Sequence, residues 1–379
     1  MAHVPAGLLR PALDGCVPYE PGKPVEEVQR ELGLARVVKL ASNEGPLGPF
    51  PEALAAIERT STDLNRYPDG GAYRLRAALA ERHGVRFEEI AIGAGADGLI
   101  DGISQAVLDP SDEIVCGWPS FPSYVLYAVK LGAVPRRVPL KEDRYDLDAI
   151  LAAVTPRTKV VYLCHPNNPT GTMNTRAELD DYFDRVPEHV LTVLDQAYFE
   201  YVEEEEYPDG IEEYFNRGRR VIVLRTFSKI YGLAGLRVGY GVGPAELVSA
   251  LGKTRRAFDI ATPAQEAALA SLGAADELAE RRRLNAIGRA ELESVLGDAG
   301  YDVVGPAVGN FVCVELEEDA RTFFQALLRE GVIVRPLAGF GAAEAVRITV
   351  GTSDEHAFLA EALASLKKQE LIPERLPAG

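Results

Sequence analysis

The sequence predicts an α/β protein. Its large domain has a mostly parallel seven-stranded sheet sandwiched by helices, and a smaller α+β domain accompanies it. Three observations carry that expectation. Between roughly residues 89 and 242, short β-branched runs alternate with stretches of helical pattern. Several of the runs are apolar almost without interruption, the pattern of strands covered on both faces. After about residue 250 the texture changes to a long charged helix-forming stretch followed by separate short strands.

The elements follow in chain order. Residues 1–35 are rich in Pro and Gly and are expected to wrap as an arm onto the small domain or a partner subunit. Residues 36–250 form the large domain, with strands expected at 89–93, 113–117, 133–138, 159–163, 190–194, 221–225 and 238–242. The spacers suit crossover helices, and Thr175 with Glu178 has capping-box spacing before ELDDYFDRVP. Residues 251–379 form the small domain. There the charged helix leads into NFVCVEL, GVIVRPL and AVRITVG, and a last helix opens at Thr352 and Glu355.

Composition excludes several classes of function. With 47% apolar residues, the 379-residue chain can build a large core, about two domains by length. A net charge of −17 argues against nucleic-acid and anionic-membrane partners, which need a basic face. The four cysteines form no CxxC pair, and the five histidines show no metal-ligand spacing. No secretory leader pattern and no run of about 18 apolar residues is present, so a soluble, cytoplasmic protein is expected.

IGAGADGLIDG holds a literal GxGxxG at Gly93, Gly95 and Gly98, between an expected strand and an expected helix. A dinucleotide site, another phosphate ligand and a tight turn all remain open on that motif, because a helix N-terminus attracts any anion. In an open α/β sheet, ligands bind beyond the carboxyl ends of the strands. The residues just past those ends are Gly95-Ala96-Asp97, WPSFPSY with Phe121, HPNNPTG with Asn168, Asp195 with Tyr198, and Thr226-Phe227-Ser228-Lys229. Each has a bland reading as a cap, a turn or a surface lysine. Five such coincidences at successive strand ends are less probable than one site.

Pyridoxal phosphate catalysis needs this set. It requires a lysine with a lowered pKa to bond the cofactor aldehyde, a carboxylate to keep the ring nitrogen protonated, and a phosphate cup. A buried strand that ends near Lys229 would aim that amine at the cofactor.

With these residues in view, the chain resembles fold-type I pyridoxal-phosphate aminotransferases, and within them the histidinol-phosphate aminotransferase family. KLASNEGPLGP, LNRYPDGGAYRLRAALA, HPNNPTGT, LRTFSKIYGLAGLRVGYG, GVIVRPL and VRITVGT carry the resemblance. It implies Lys229 as the Schiff-base lysine and proton carrier, and Asp195 as the partner of the ring nitrogen. Asn168 and Tyr198 would bond the phenolic oxygen, and Phe121 would stack on the ring. Gly95, the amides of Ala96 and Asp97, Thr226, Ser228 and Arg237 would surround the phosphate. Tyr67 would reach the cofactor of a neighbouring subunit, which implies an obligate homodimer. Tyr19, Asn43, Asn168, Arg335 and Arg347 would bind substrate, and a cis peptide is expected before Pro169.

The implied reaction interconverts L-histidinol phosphate plus 2-oxoglutarate with imidazole-acetol phosphate plus L-glutamate. Gly45, Gln196 and Phe258 depart from the usual pattern, and Phe258 with Phe121 makes the pocket more apolar. An aromatic amino acid such as phenylalanine is the alternative donor. A nicotinamide-dependent oxidoreductase through Gly93–Gly98 would leave Lys229 and Asp195 without roles. A decarboxylase on the same cofactor and a non-enzymatic ligand sensor are further alternatives.

Overall fold

The computed structural model of the chain describes residues 7–18, 22–316 and 319–372. A short strand, β1 (Val38–Lys39), precedes the main sheet. That sheet comprises β2 (Ile90–Gly93), β3 (Glu113–Trp118), β4 (Val134–Pro139), β5 (Thr158–Cys164), β6 (Leu191–Asp195), β7 (Val221–Thr226) and β8 (Gly239–Val242). Each lies within one residue of its expected bounds at either end. Their order is β2-β8-β7-β6-β5-β3-β4. All pairings are parallel except those of β8, which runs antiparallel to both β2 and β7.

Sequence explains the positions. Every residue of β2 and β7 is buried, as continuous apolar runs require in a sheet covered on both faces. The edge strand β4 is largely exposed and holds Pro135 and Pro139, residues that lack an N–H for a second ladder. The order reverses at β3, which pairs with β4 on one side and β5 on the other. Such a reversal opens a crevice at the carboxyl ends of the strands.

A four-stranded antiparallel sheet follows, built from β9 (Val303–Val304), β10 (Phe311–Glu315), β12 (Arg335–Pro336) and β13 (Ala345–Thr349) in the order β12-β13-β10-β9. Between β10 and β12, β11 (Val332–Ile333) pairs in parallel with β1. Val38 and Leu40 therefore pack in the core beneath the four-stranded sheet, whereas Leu251, Ala264, Ala267 and Ala268 pack in the core of the main sheet. The helix Ala275–Asp298 bridges the two, with Leu278 against the first core and Leu292 and Leu296 inside the second. Both expected capping boxes form: Thr175 accepts from the Glu178 amide, and Thr352 from the Glu355 amide. No described helix is long and apolar enough to cross a membrane.

The cis peptide expected before Pro169 does not occur; among the described residues the cis bonds precede Pro119, Pro166 and Pro306. The Asn167 carbonyl instead accepts from the Gly171 amide at 2.8 Å, and Gly171 takes φ +80°, so a wider turn reverses the chain.

Candidate active site

β5, β6 and β7 deliver their last residues to one side of the sheet, with Cys164 paired to Asp195 in the ladder. Asp195 is 3% exposed. Its Oδ2 accepts from the Tyr124 hydroxyl at 2.7 Å and its Oδ1 from the Ala197 amide at 3.1 Å. Burial pushes its pKa up to about 6, against those two hydrogen bonds. Three residues beyond β7 stands Lys229, half-buried, with Nζ 5.3 Å from the Tyr198 ring centroid. Burial first, and then Arg347, lowers its pKa to about 8.

An anion cradle faces these two groups. The helix Gly95–Val107 starts right after β2, so its first amides point toward the strand ends. Gly95 has φ +73°, and a Cβ there would lie 2.6 Å from Arg237 Nη2. Gly239 is equally constrained, since its Cβ would come within 2.7 Å of the Ala96 amide nitrogen. Both positions need glycine for backbone and guanidinium to approach this closely. Arg237 Nη1 donates to the Ser228 hydroxyl at 3.2 Å, and the Ser228 amide donates to Thr226 Oγ1 at 3.1 Å.

The third wall comes from the loop after β1 and from β13. Asn43 Nδ2 donates to the Tyr198 hydroxyl at 2.9 Å, while Thr349 on β13 donates to Asn43 Oδ1 at 3.1 Å. Arg347 donates to Asn168 Oδ1 and, through Nη2, to the Ala41 carbonyl at 2.9 Å.

These walls enclose a cavity of about 460 Å³. Asn43, Ala96, Asp97, Phe121, Asn168 and Asp195 line it, as do Tyr198, Thr226, Ser228, Lys229, Arg237 and Arg347. Three other expected residues lie elsewhere, and a fourth is not described. Gly95 is buried behind the cradle. Arg335 lines a neighbouring cavity of about 360 Å³ with Trp118, Leu126 and Phe340. Tyr67 is 81% exposed and stacks on Phe258, with centroids 4.6 Å apart. Tyr19 lies outside the described residues.

The departures also find places. Gln196 is buried behind the site, donating to the Pro208 carbonyl and accepting from the Gly210 amide. A Cβ at Gly45 would meet Tyr201 Oη at 3.5 Å and the Lys229 carbonyl at 3.6 Å, ordinary contacts.

Sequence reasoning missed Phe340 and Tyr127, which also line the cavity. Phe340 carries no local signal, because it arrives from a loop of the four-stranded unit. Tyr127 donates to Asp97 Oδ2 at 2.7 Å, and its place one helical turn past Tyr124 could have suggested it.

The donor set fits pyridoxal phosphate: a cradle of amides, hydroxyls and one guanidinium, a buried carboxylate, and a lysine whose amine loses its proton readily. Comparisons with known proteins agree. Residues 35–363 match the family model for aminotransferase class I and II. A histidinol-phosphate aminotransferase of Moorella thermoacetica is 44% identical over 94% of this chain and 92% of its own length. An aromatic amino acid aminotransferase of Thermobifida fusca is 46% identical over 93% of this chain and 95% of its own. The crystal structure of histidinol-phosphate aminotransferase from Sinorhizobium meliloti, in complex with pyridoxal-5'-phosphate, superposes with a TM-score of 0.86 at 30% identity, covering 95% of this chain and 98% of that one.

Proposed function

Because the chain belongs to the class I and II aminotransferases, pyridoxal-phosphate enzymes, we propose that it transfers the amino group of L-histidinol phosphate to 2-oxoglutarate. The Gly93–Gly98 motif then serves a cofactor phosphate, and a nicotinamide reading loses its basis. The observation that carries the substrate assignment is the pairing of Arg335 with Arg347 across β12 and β13. Arg347 borders the Lys229 cavity and Arg335 the cavity beside it, and planar guanidinium donors suit a dianion, which they meet bidentately.

Bound pyridoxal phosphate supplies a carbonyl that joins to amines and a ring that accepts electrons from the Cα–H bond. The chain's residues do the rest. The Ala96 and Asp97 amides, Thr226, Ser228 and Arg237 hold the phosphate. Asp195 keeps the proton on the ring nitrogen, Asn168 and Tyr198 bond the phenolic oxygen, and Phe121 covers the ring face. Lys229 would hold the cofactor at rest, and its amine would be the group that moves the proton at substrate Cα. Burial first, and then Arg347, lowers its pKa to about 8, so its amine gives up a proton more readily than an ordinary lysine. Asn43 fixes the Tyr198 hydroxyl, and Arg347, Arg335 and Tyr19 bind the substrate anion. In this reading residues 36–250 supply most of the cofactor-binding unit and residues 251–379 most of the second unit, although Val38 and Leu40 pack into the second core and Leu251, Ala264, Ala267 and Ala268 into the first.

Fold-type I enzymes are typically dimers. The exposed Tyr67–Phe258 stack supports a homodimer in which Tyr67 reaches the partner subunit's cofactor phosphate. We place the enzyme in the cytoplasm, a setting that suits the buried, unbridged Cys116, Cys164 and Cys313.

A second reading, an aromatic amino acid donor, is favoured by the apolar walls of Phe121 and Phe340; Phe258, 46% exposed and stacked on Tyr67, does not line this cavity. A single-turnover half-reaction tests both. Cofactor-loaded protein is mixed with histidinol phosphate or with phenylalanine, and conversion to the pyridoxamine form is followed by absorbance. A rate per unit concentration at least ~100-fold higher for histidinol phosphate, about 2.7 kcal/mol, supports the first reading. A rate for phenylalanine that equals or exceeds it makes this an aromatic aminotransferase.

A further inference from the structure

The carboxylate at the end of β6 is held by a residue outside the set that would touch cofactor or substrate. Tyr124 is fully buried, and its hydroxyl donates to Asp195 Oδ2 at 2.7 Å. The ring is fixed from two sides. It stacks on Tyr162 with centroids 4.6 Å apart and planes 12° apart, and it meets Phe121 edge-on at 5.6 Å and 80°. One side chain therefore touches both the carboxylate meant for the ring nitrogen and the aromatic plate meant for the ring face.

We propose that Tyr124 is a positioning residue that acts through Asp195, fixing the orientation of its carboxylate and keeping it ionised for the cofactor's ring nitrogen. The inference rests on the cofactor assignment above. The physical reason is that burial penalises a lone carboxylate, while hydrogen bonds to its oxygens favour the charged form. Of the two bonds Asp195 accepts, that from Tyr124 is the shorter, and it comes from a hydroxyl that solvent does not reach. Each carboxylate oxygen still has a lone pair for the ring N–H.

The test measures cofactor affinity, separately from turnover. Apoprotein is titrated with pyridoxal phosphate and with its deaza analogue, in which CH replaces the ring nitrogen, for wild type, Tyr124→Phe, Asp195→Asn and the double variant. Tyr124→Phe should weaken pyridoxal phosphate binding roughly ten- to a hundred-fold, the range for a hydrogen bond to a charged group. It should change affinity for the deaza analogue less than about three-fold, because no ring proton is left to recognise. In the Asp195→Asn background the same substitution should add nothing. Equal losses for the two ligands, no loss for either, or additive losses in the double variant would overturn the proposal, since a packing role predicts them. Tyr182→Phe removes another buried hydroxyl, bonded to Thr192 at 2.9 Å, and should leave both affinities unchanged. Wild-type protein that bound no pyridoxal phosphate would defeat the cofactor assignment itself, a separate failure.

Discussion

Arg335 on β12 and Arg347 on β13 are direct cross-strand partners, and both are buried, at 7% and 3% exposure. Residues opposed in an antiparallel pair share one face of the sheet. The two arginines also border adjoining cavities, Arg347 that of Lys229 and Arg335 the one beside it.

The first prediction separates those two positions. Arg335→Ala should raise KM for histidinol phosphate by roughly 10- to 150-fold, the loss of a hydrogen bond to a charged group. KM for phenylalanine should move by less than about three-fold, because that donor has no phosphate. Steady-state kinetics with both donors decides it, and equal losses would remove Arg335 from the substrate site. Arg347→Ala should lower kcat/KM for both donors.

Lys229 carries a cost in the apoprotein. Its folded pKa of about 8 lies below the ordinary 10.5, so the unfolded chain binds more protons between those values. Stability from this group is present above pH 10.5 and is lost as pH falls toward 8. Lys229→Met should therefore raise the apoprotein Tm at pH 7, and the gain should shrink as pH rises from 8 to 10.5. The same variant should have no multiple-turnover activity. Calorimetry across pH checks the first outcome, and a gain independent of pH would contradict it.

Gly239→Ala should disturb the phosphate cradle from behind. The added Cβ would press on the Ala96 amide from 2.7 Å and force the start of the helix Gly95–Val107 outward. Overpacking of this kind costs about 1–3 kcal/mol. Cofactor affinity should fall with stability, whereas Gly252→Ala, inside the helix Ala245–Thr254 and with nothing within 4 Å of its Cβ, should leave cofactor affinity unchanged and raise stability by about 0.5–1 kcal/mol. Fluorescence titration with pyridoxal phosphate compares the two.

Glu113, fully buried on β3, accepts from Arg136 on the edge strand and from Arg157 and Thr155 before β5. The Arg136 hydrogen bond, first among these, holds its pKa well below the ordinary 4.5. Its stabilising contribution is therefore present above pH 4.5 and is lost as pH falls below it. Glu113→Ala should cost about 3 kcal/mol at pH 7, the low end for a broken buried pair, because both arginines reach solvent. The Tm difference from wild type should narrow in acid.

Much of the site was legible because it hangs on strand ends. An apolar run announces a buried strand, and the residue after it must emerge at a carboxyl end. Asp195, Thr226 and Lys229 could be placed on that rule alone. Arg335, Arg347 and Asn43 were known only by resemblance, since short motifs do not say which strands lie side by side. The resemblance misled in one detail: the peptide before Pro169 is not among the cis bonds, and the chain reverses through Gly171 at φ +80°.

By itself, the sequence determined the seven strands, both capping boxes and the chemistry offered beyond each strand, because periodicity and capping are local. Only the tertiary structure decided that Arg335 faces Arg347, that Phe340 enters the cavity wall, that Asn43 bonds Tyr198, and that Tyr124 holds Asp195. These pairings join residues as much as 155 positions apart. Arg335 meets Arg347 within the four-stranded sheet and Tyr124 meets Asp195 beside the main one, while Phe340 and Asn43 arrive from outside the main sheet, and no local pattern in the chain records any of these meetings.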